Sequence, residues 1–213
     1  MRVPTYTAEQ VRAAEAPLLA AGVPLMRRAA HALAGVIAER DPERMLVLVG
    51  AGDNGGDALY AAAELAARGI HVDILRTAER VHEPALAAAT AEGARLITDP
   101  LADAYDLVVD GILGIGARGG LRGAARNIVR ALRPGHPTVI AVDLPSGLDP
   151  DTGETDGVVL PAATTITFGA VKAGLALAAG PRLCGSILLV DIGLQLDPAT
   201  AVGRAAISAM RQG

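Results

Sequence analysis

Largely apolar runs of five to eight residues recur along this chain, separated by longer stretches of mixed character. These runs predict seven strands, at residues 45–50, 71–76, 94–98, 106–113, 138–145, 163–168 and 186–193. Most of the runs are apolar at nearly every position, which is typical of strands buried on both faces of a sheet. The pattern therefore indicates a parallel sheet that is covered on both sides.

Between the strands, apolar residues recur every three or four positions, which predicts helices. One helix opens at Thr7, with Glu9 and Gln10 in its first turn, and runs toward Gly22. A second follows Pro24 and continues to about residue 40, so that two helices precede any predicted strand. Further helices are expected at residues 55–69, 84–92 and 121–133, and from roughly 198 to 210.

Strands that alternate with helices in this way predict an α/β fold. We expect a three-layer αβα, Rossmann-like architecture with a mostly parallel, doubly wound sheet of about seven strands. No internal repeat and no long polar linker interrupts the chain, so residues 1–213 are expected to form a single domain.

Composition narrows the classes of function. The net charge of −4 argues against a nucleic-acid partner, and no apolar stretch approaches the ~20 residues of a membrane span, so no membrane partner is expected. Cys184 is the only cysteine, which excludes an intrachain disulfide and leaves no Cys/His cluster for zinc. These features predict a soluble, cytoplasmic protein.

In open α/β sheets, ligands bind beyond the carboxyl ends of the strands. Four predicted strand exits are rich in glycine, at residues 52–57, 110–120, 143–149 and 168–174. At the first exit, Gly50, Gly52 and Gly55 satisfy the dinucleotide fingerprint GxGxxG. The same loop also contains Asp53, Asn54 and Asp57. The helix that begins there would hold a phosphate well, while Asp57 is also suited to be a helix cap.

Three oxygen-bearing side chains stand at separate strand exits. Asn54, Asp110 and Ser146, together with backbone carbonyls, would suit a hard cation. Because the set has only one carboxylate, it fits a monovalent ion better than Mg²⁺ or Ca²⁺. Instead of binding an ion, Ser146 is also suited to be an ordinary turn residue in the sequence PSG.

Asp143 and Lys172 are the candidates for proton transfer. Asp143 ends an apolar strand, where partial burial suits a general acid or base, although it is also suited to accept a hydrogen bond from a ligand hydroxyl. Lys172 is the only lysine among nineteen basic residues. It either supplies a compact ammonium at the site or is retained by chance on a solvated face.

Five segments in order resemble one known family. They are VGAGDNGGDALYAA, DLVVDGILGIGARGGLRG, VIAVDLPSGLDPDTG, ATTITFGAVKAGL and GSILLVDIGL, and the helix containing LMRRAA adds to them. Together they closely resemble the NAD(P)H-hydrate epimerases, the YjeF N-terminal domain family. The resemblance implies an isomerase that interconverts the R and S forms of hydrated NADH and NADPH (NADHX and NADPHX) at C6 of the nicotinamide ring, a damage-repair step.

The resemblance also implies roles for individual residues. The nucleotide would be bound by Asp53, Asn54, Gly55, Gly56, Asp57, Gly114, Ile115, Gly116, Ala117, Arg118, Gly119, Gly120 and Asp143. Asn54, Asp110 and Ser146 would hold one K⁺ per subunit. As a hypothesis of mechanism, Asp143 would donate and accept the proton, and Lys172 would either orient Asp143 or tune its pKa. The chain departs from the family at Asp53, where NNGGD is usual, which puts the contact of the first asparagine in doubt.

The resemblance further implies a stand-alone epimerase or the N-terminal half of a bifunctional protein. A homodimer is expected, and an ADP- or ATP-dependent NAD(P)H-hydrate dehydratase is the expected functional partner. Two alternatives stay open. An NAD(P)-dependent dehydrogenase would need a hydride-transfer pair that the later sequence does not offer. A non-catalytic nucleotide- or protein-binding module of the same fold is the stronger rival.

Overall fold

The computed structural model describes residues 1–100, 105–117 and 119–213. The strands within these ranges are β1 (Arg2–Tyr6), β2 (Arg44–Val49), β3 (His71–Arg76), β4 (Arg95–Ile97), β5 (Leu107–Gly111), β6 (Val139–Val142), β7 (Thr164–Phe168), β8 (Val171–Lys172), β9 (Ser186–Asp191), β10 (Gly203–Ala206) and β11 (Ala209–Gln212). The α-helices are α1 (Ala8–Ala20), α2 (Leu25–Ala38), α3 (Asp53–Ala67), α4 (Glu83–Ala91), α5 (Gly123–Leu132) and α6 (Gly180–Leu183).

Eight of these strands form one parallel sheet in the order β11-β9-β7-β6-β5-β2-β3-β4. Its two faces bury alternate residues of the same strand. Val47 faces helices α2, α3 and α4, whereas Leu46 and Leu48 pack with α5 on the opposite face. The three-layer α/β architecture predicted from the sequence is therefore confirmed, with eight strands in the sheet.

The strand order places a switch point at the centre of the sheet. From β2 the chain passes through α3 to β3 on one side, and later returns to β5 on the other side of β2. The connections leave on opposite faces at this point, so a crevice opens above the carboxyl ends of β2 and β5. The predicted glycine-rich loops follow these two strands.

Two predictions of secondary structure are wrong. A strand, β1, precedes the first helix, and residues 198–210 form a 3₁₀ turn at Pro198–Thr200 followed by β10 and β11 instead of a helix. The alanine-rich composition of this last segment resembles a helix, but its backbone hydrogen bonds go to β1 and β9. Pairing with distant strands overrides local propensity here. No helix among the described residues has the length and apolarity needed to span a membrane.

A second, smaller sheet contains β10, β1 and β8, with β1 in the middle. Strand β1 runs antiparallel to β10 and parallel to β8, with Tyr6 opposite Lys172. Helix α1 begins directly after β1, because Thr7 and Gln10 form a reciprocal capping box. The small sheet thus fixes α1 next to the strand that carries the only lysine.

An ionic network, here called the Asp73 network, ties β2, β3 and β4 together. The buried Asp73 carboxylate accepts two hydrogen bonds from Arg95, at 2.9 and 3.1 Å, and one from the Tyr105 hydroxyl at 2.9 Å, while Arg44 lies 3.6 Å away. Burial acts to raise the pKa of Asp73, but these hydrogen bonds and the two guanidinium charges together lower it. Burial, and then the bond to Asp73, raises the pKa of Tyr105 to about 12.

Candidate active site

A cavity of about 520 Å³ opens above the carboxyl ends of the central strands. Its polar side chains come from α1, α3, β8 and the exit of β6, and they are Glu15, Asp53, Asn54, Asp57, Asp143 and Lys172. The apolar wall is formed by Leu19, Leu25, Met26, Ala29, Phe168 and Ile192, and the backbone of residues 112–117 closes another side. Four carboxyl groups and one ammonium therefore face the same space.

The fingerprint glycines have different local roles. A Cβ on Gly50 would lie 1.7 Å from the carbonyl oxygen of Ile112, so this glycine lets the exits of β2 and β5 touch. A Cβ on Gly52 would have nothing within 4 Å, and Gly52 lines the cavity. Gly55 packs against the Gly50 carbonyl and Gly56 against the Met26 side chain, so both lie behind the cavity wall.

Asn54 joins three strand exits. It is 6% exposed, in the first turn of α3, and its amide nitrogen donates to the carbonyls of Val142 at 2.6 Å and Leu113 at 2.9 Å. Among the described residues no donor reaches its amide oxygen, which lies beside the backbone of Gly114. Asn54 is therefore a structural clamp whose oxygen remains for a ligand.

Asp110 and Ser146 form a buried pair next to this clamp. The Ser146 hydroxyl donates to Asp110 Oδ1 at 2.6 Å, and the Ser146 backbone N–H donates to Asp110 Oδ2 at 2.9 Å. The same hydroxyl accepts from the Leu113 N–H at 2.9 Å. Burial raises the pKa of Asp110, although the bonds from Ser146 and Ile112 act in the other direction.

The three residues predicted to hold a cation are thus brought together around Leu113. Their oxygen donors are one carboxylate, one hydroxyl and one amide oxygen, and the two nearby carbonyls of Val142 and Leu113 accept from the Asn54 amide nitrogen. Elsewhere in the described parts of the chain, no three His, Cys, Asp or Glu side chains are grouped as metal ligands. The chemistry of this set fits a weakly charged, oxygen-preferring ion such as K⁺.

Asp143 and Lys172 form a buried ion pair at the cavity floor. Lys172 is 1% exposed, and its ammonium donates to Asp143 Oδ1, to the Phe168 carbonyl at 2.9 Å and to Thr167 Oγ1 at 3.2 Å. The Thr167 hydroxyl and the Phe168 N–H also donate to Asp143 Oδ1. Lys172 therefore does not lie on a solvated face, and its three protons are all used.

The other oxygen of Asp143 faces a different environment. Asp143 has a φ of 69°, in the left-handed region, where Asp and Asn occur more readily than most other residues. No described residue donates to its Oδ2, and the side chain lines the cavity. One carboxylate oxygen is thus fixed by the protein while the other is available to a ligand.

Asp57 is buried with an unsatisfied oxygen. Within the described ranges, its Oδ1 is the buried side-chain oxygen or nitrogen that lacks a hydrogen-bond partner. The N-cap of α3 is Gly52, so Asp57 is not a helix cap. Burial, followed by the charges of Asp143, Asp53 and Glu15, raises the pKa of Asp57 well above its usual range. Such a group is expected to be compensated by a hydrogen-bonding ligand.

One part of the loop after β5 lines the cavity and another part lies outside its wall. Gly114, Ile115, Gly116 and Ala117 line the cavity, whereas Gly119 and Gly120 lie outside its wall. A Cβ on Gly120 would meet the Asp156 carboxylate at 2.3 Å, so this glycine allows that side chain to approach. Arg118, also predicted to bind nucleotide, lies outside the described residues.

Glu15 was not identified from the sequence. It lies on α1, which precedes the strands of the large sheet, and its carboxylate lines the cavity opposite the strand exits. Burial raises the pKa of Glu15, the charge of Lys172 lowers it, and Asp143 and Asp53 raise it further. The expectation that ligands bind beyond the carboxyl ends of the strands does not point to Glu15, because this residue lies on a helix that precedes the large sheet.

Known proteins resemble this chain along most of its length. A protein from Microbacterium testaceum named NAD(P)H-hydrate epimerase is 54% identical, over 99% of this chain and 88% of its own. A protein of the same name from Clavibacter michiganensis is 52% identical over 94% and 95% of the two chains. The Mycobacterium tuberculosis protein named bifunctional NAD(P)H-hydrate repair enzyme Nnr is 44% identical, over 93% of this chain and 43% of its own.

Structural and family comparisons point the same way. The crystal structure of the yeast protein YNL200c superposes with a TM-score of 0.72 at 18% identity, covering 81% of this chain and 83% of that one, which shows a shared fold. The sequence profile described as YjeF-related protein N-terminus matches residues 22–174, which contain the loops after β2, β5, β6 and β7. The chain therefore belongs to the family of YjeF-related protein N-termini.

Proposed function

We infer that this protein is an isomerase, an NAD(P)H-hydrate epimerase that interconverts the R and S forms of hydrated NADH and NADPH and so acts in nucleotide repair. Relatives of that name are 52–54% identical over nearly the whole chain. The observation that carries the chemistry is the buried Asp143–Lys172 pair, which leaves one carboxylate oxygen facing the cavity.

The reaction needs an acid that becomes a base. The hydroxyl on C6 of the hydrated ring leaves as water when an acid protonates it, and the ring nitrogen stabilises the resulting cation. We propose that Asp143 first takes up a proton from solvent at Oδ2 and then gives this proton to the C6 hydroxyl. Water then adds to the other face of C6, and the same carboxylate accepts the proton, so that the overall reaction is proton-neutral. Lys172 would orient Asp143 through Oδ1.

The remaining cavity groups are proposed to bind the nucleotide. Asp57, with its unsatisfied oxygen, suits a hydroxyl or amide of the ligand, and Gly114 and Gly116 let the ligand approach the backbone closely because they have no side chain. The amino terminus of α3 suits a phosphate because the N–H groups of Asp53 and Asn54 donate to no group in the described parts of the chain. Asp53, at the same terminus, contributes a negative charge that would oppose a phosphate placed directly beside it.

We propose that Asn54, Asp110 and Ser146 hold K⁺, with the carbonyls near Leu113 as further oxygen ligands. When bound, this ion would supply positive charge that offsets the cavity's carboxylates and would hold the loops in place. Asn54 would turn its amide oxygen toward the ion. Its amide nitrogen now bonds the two carbonyls, so these contacts would have to exchange.

Three further properties concern partners, assembly and location. The mycobacterial relative is named as bifunctional and this chain matches 43% of it, which supports a second NAD(P)H-hydrate repair enzyme, the dehydratase, as functional partner. We further propose a homodimer acting in the cytoplasm. Exposed Leu19 and Met210 are apolar surface that a second copy would cover.

The test is direct. The purified protein is incubated with R-NADHX or R-NADPHX in potassium buffer, and the two epimers are separated by chromatography. We expect equilibration far faster than the uncatalysed reaction, and a large loss of rate in Asp143→Asn. Nucleotide binding without faster epimerisation would favour the non-catalytic module, and an Asp143→Asn variant with the wild-type rate would remove Asp143 from the proton-transfer role.

A further inference from the structure

The segment before the family match forms part of the cavity. This segment, residues 1–21, contains β1 and α1, and the family profile begins at residue 22. Strand β1 pairs with β8 so that Tyr6 lies opposite Lys172. Residues 1–21 are therefore fixed directly to the strand that orients the proposed acid.

Two side-chain contacts hold α1 over the cavity. The N–H of Ala8 donates to Asp151 Oδ1 at 2.6 Å, and Arg12 Nη1 donates to the Ile115 carbonyl at 2.9 Å. Ile115 belongs to the loop that closes the cavity after β5. Helix α1 is thus anchored at its first turn and again one turn later, and Glu15 follows on the same helix.

Glu15 is presented to the cavity without a partner. Its carboxylate forms no hydrogen bond or ion pair with any residue in the described ranges, although it lies near the charges of Lys172, Asp143 and Asp53. Nearby Arg12 uses its guanidinium on a backbone carbonyl instead. A half-buried carboxylate that no protein group satisfies is placed to accept hydrogen bonds from a ligand.

The charge of the cavity limits what Glu15 can accept. Three other carboxyl groups and one ammonium line the same space, and that ammonium is already bonded to Asp143. Among the described residues that line the cavity no cation is free, so a phosphate beside Glu15 would meet uncompensated like charge, which is unfavourable. A neutral donor, such as a ribose hydroxyl or a carboxamide N–H, would instead form a charge-assisted hydrogen bond.

We propose that Glu15 is a further substrate-binding residue, which accepts a hydrogen bond from a neutral hydroxyl or amide group of the hydrated nucleotide. This rests on the proposed epimerase function. Glu15 therefore acts on binding more than on the chemical step, and the segment 1–21 supplies a contact that the strand exits do not.

The experiment compares Glu15→Ala and Glu15→Gln with Glu9→Ala, a control on the exposed face of the same helix. Turnover of R-NADHX and R-NADPHX is measured over a range of concentrations. We expect Glu15→Ala to raise KM about tenfold with little change in kcat, a loss equivalent to about 1.4 kcal/mol. Glu15→Gln, which keeps an acceptor oxygen, should lose less, and Glu9→Ala should match the wild type.

Three outcomes would overturn the proposal. One is an unchanged KM in Glu15→Ala. Another is an equal loss in Glu15→Gln and Glu15→Ala, which would assign the effect to charge rather than to hydrogen bonding. The third is a KM effect in Glu15→Ala that accompanies a fall in thermal stability while Glu15→Gln keeps wild-type kinetics. If the wild-type protein does not epimerise either substrate, it is the proposed function that fails.

Discussion

Replacing Lys172 by methionine is expected to destabilise the folded protein strongly. The ammonium is 1% exposed, and its removal leaves the Asp143 carboxylate buried near three other carboxyl groups without its counter-ion. Loss of one partner of a buried ion pair costs about 3–5 kcal/mol. In a protein of this size, that cost lowers the melting temperature by about 6–20 °C.

A double-mutant cycle measures the interaction free energy between Lys172 and Asp143. Asn is the matched replacement for Asp143, because it keeps the side-chain shape and tolerates the left-handed φ of 69°. The double variant Lys172→Met/Asp143→Asn has no buried charge at this position, so it should cost less than the two single variants together by about 2 kcal/mol. Urea unfolding followed by circular dichroism gives the four free energies.

The reasoning would be refuted by either of two results. One is a Lys172→Met variant within about 1 kcal/mol of the wild type, since a buried unpaired carboxylate costs more than that. The other is a cycle in which the single effects simply add. Because both variants remove a proposed catalytic group, the epimerisation rate should stay low even where the double variant recovers its stability.

Three further predictions concern other parts of the fold. Gly50→Ala should give little soluble protein, because its Cβ would lie 1.7 Å from a backbone carbonyl, whereas Gly52→Ala should fold and raise KM, as measured by soluble yield and turnover. Asp73→Asn should flatten the acid side of a plot of unfolding free energy against pH, measured by urea unfolding from about pH 3 to 7. The folded pKa of Asp73 lies below its unfolded value of about 3.9, so its stabilisation is complete above that value and is lost as the pH falls through the folded pKa. Ser146→Ala should cost about 1–3 kcal/mol, because Asp110 loses a buried hydrogen bond, and should abolish any difference in turnover between potassium and choline chloride.

Each of these has a result that contradicts it. Equal soluble yields of the two glycine variants would mean that the strand exits can separate without loss of the fold. An Asp73→Asn variant whose stability keeps the wild-type dependence on pH would show that other carboxylates cause the acid unfolding. A Ser146→Ala variant that still responds to potassium would move the ion to another site, and Ser186→Ala, which removes an exposed hydroxyl elsewhere, serves as its control.

The large sheet could be predicted because its central strands carry an unmistakable local pattern. Strand β2 is apolar at every position after Arg44 and β5 begins with the apolar run LVV, and parallel strands buried on both faces require such runs. The strand state of β10 and β11 could not be predicted in the same way. Their residues are alanine-rich, and only pairing with the distant strands β1 and β9 makes them extended.

Some residues of the candidate site could be predicted from the sequence and others could not, for the same physical reason. Asn54, Asp110 and Ser146 could be grouped from the sequence because each lies at or just after the carboxyl end of a strand, and parallel strands end at one edge of the sheet. The burial of Lys172 could not be decided, since lysine is usually exposed and the covering strand β1 was not predicted. Glu15 could not be found because its position depends on how α1 is anchored.

The place of β1 between β8 and β10 has a consequence for folding kinetics. This strand joins residues near the start of the chain to Lys172 and to residues beyond 200. Contacts between positions so far apart close large loops, and such contacts form slowly. During refolding we therefore expect the large sheet to form first and enzymatic activity to return later, when β1 docks. Activity would then report the completion of folding rather than its onset.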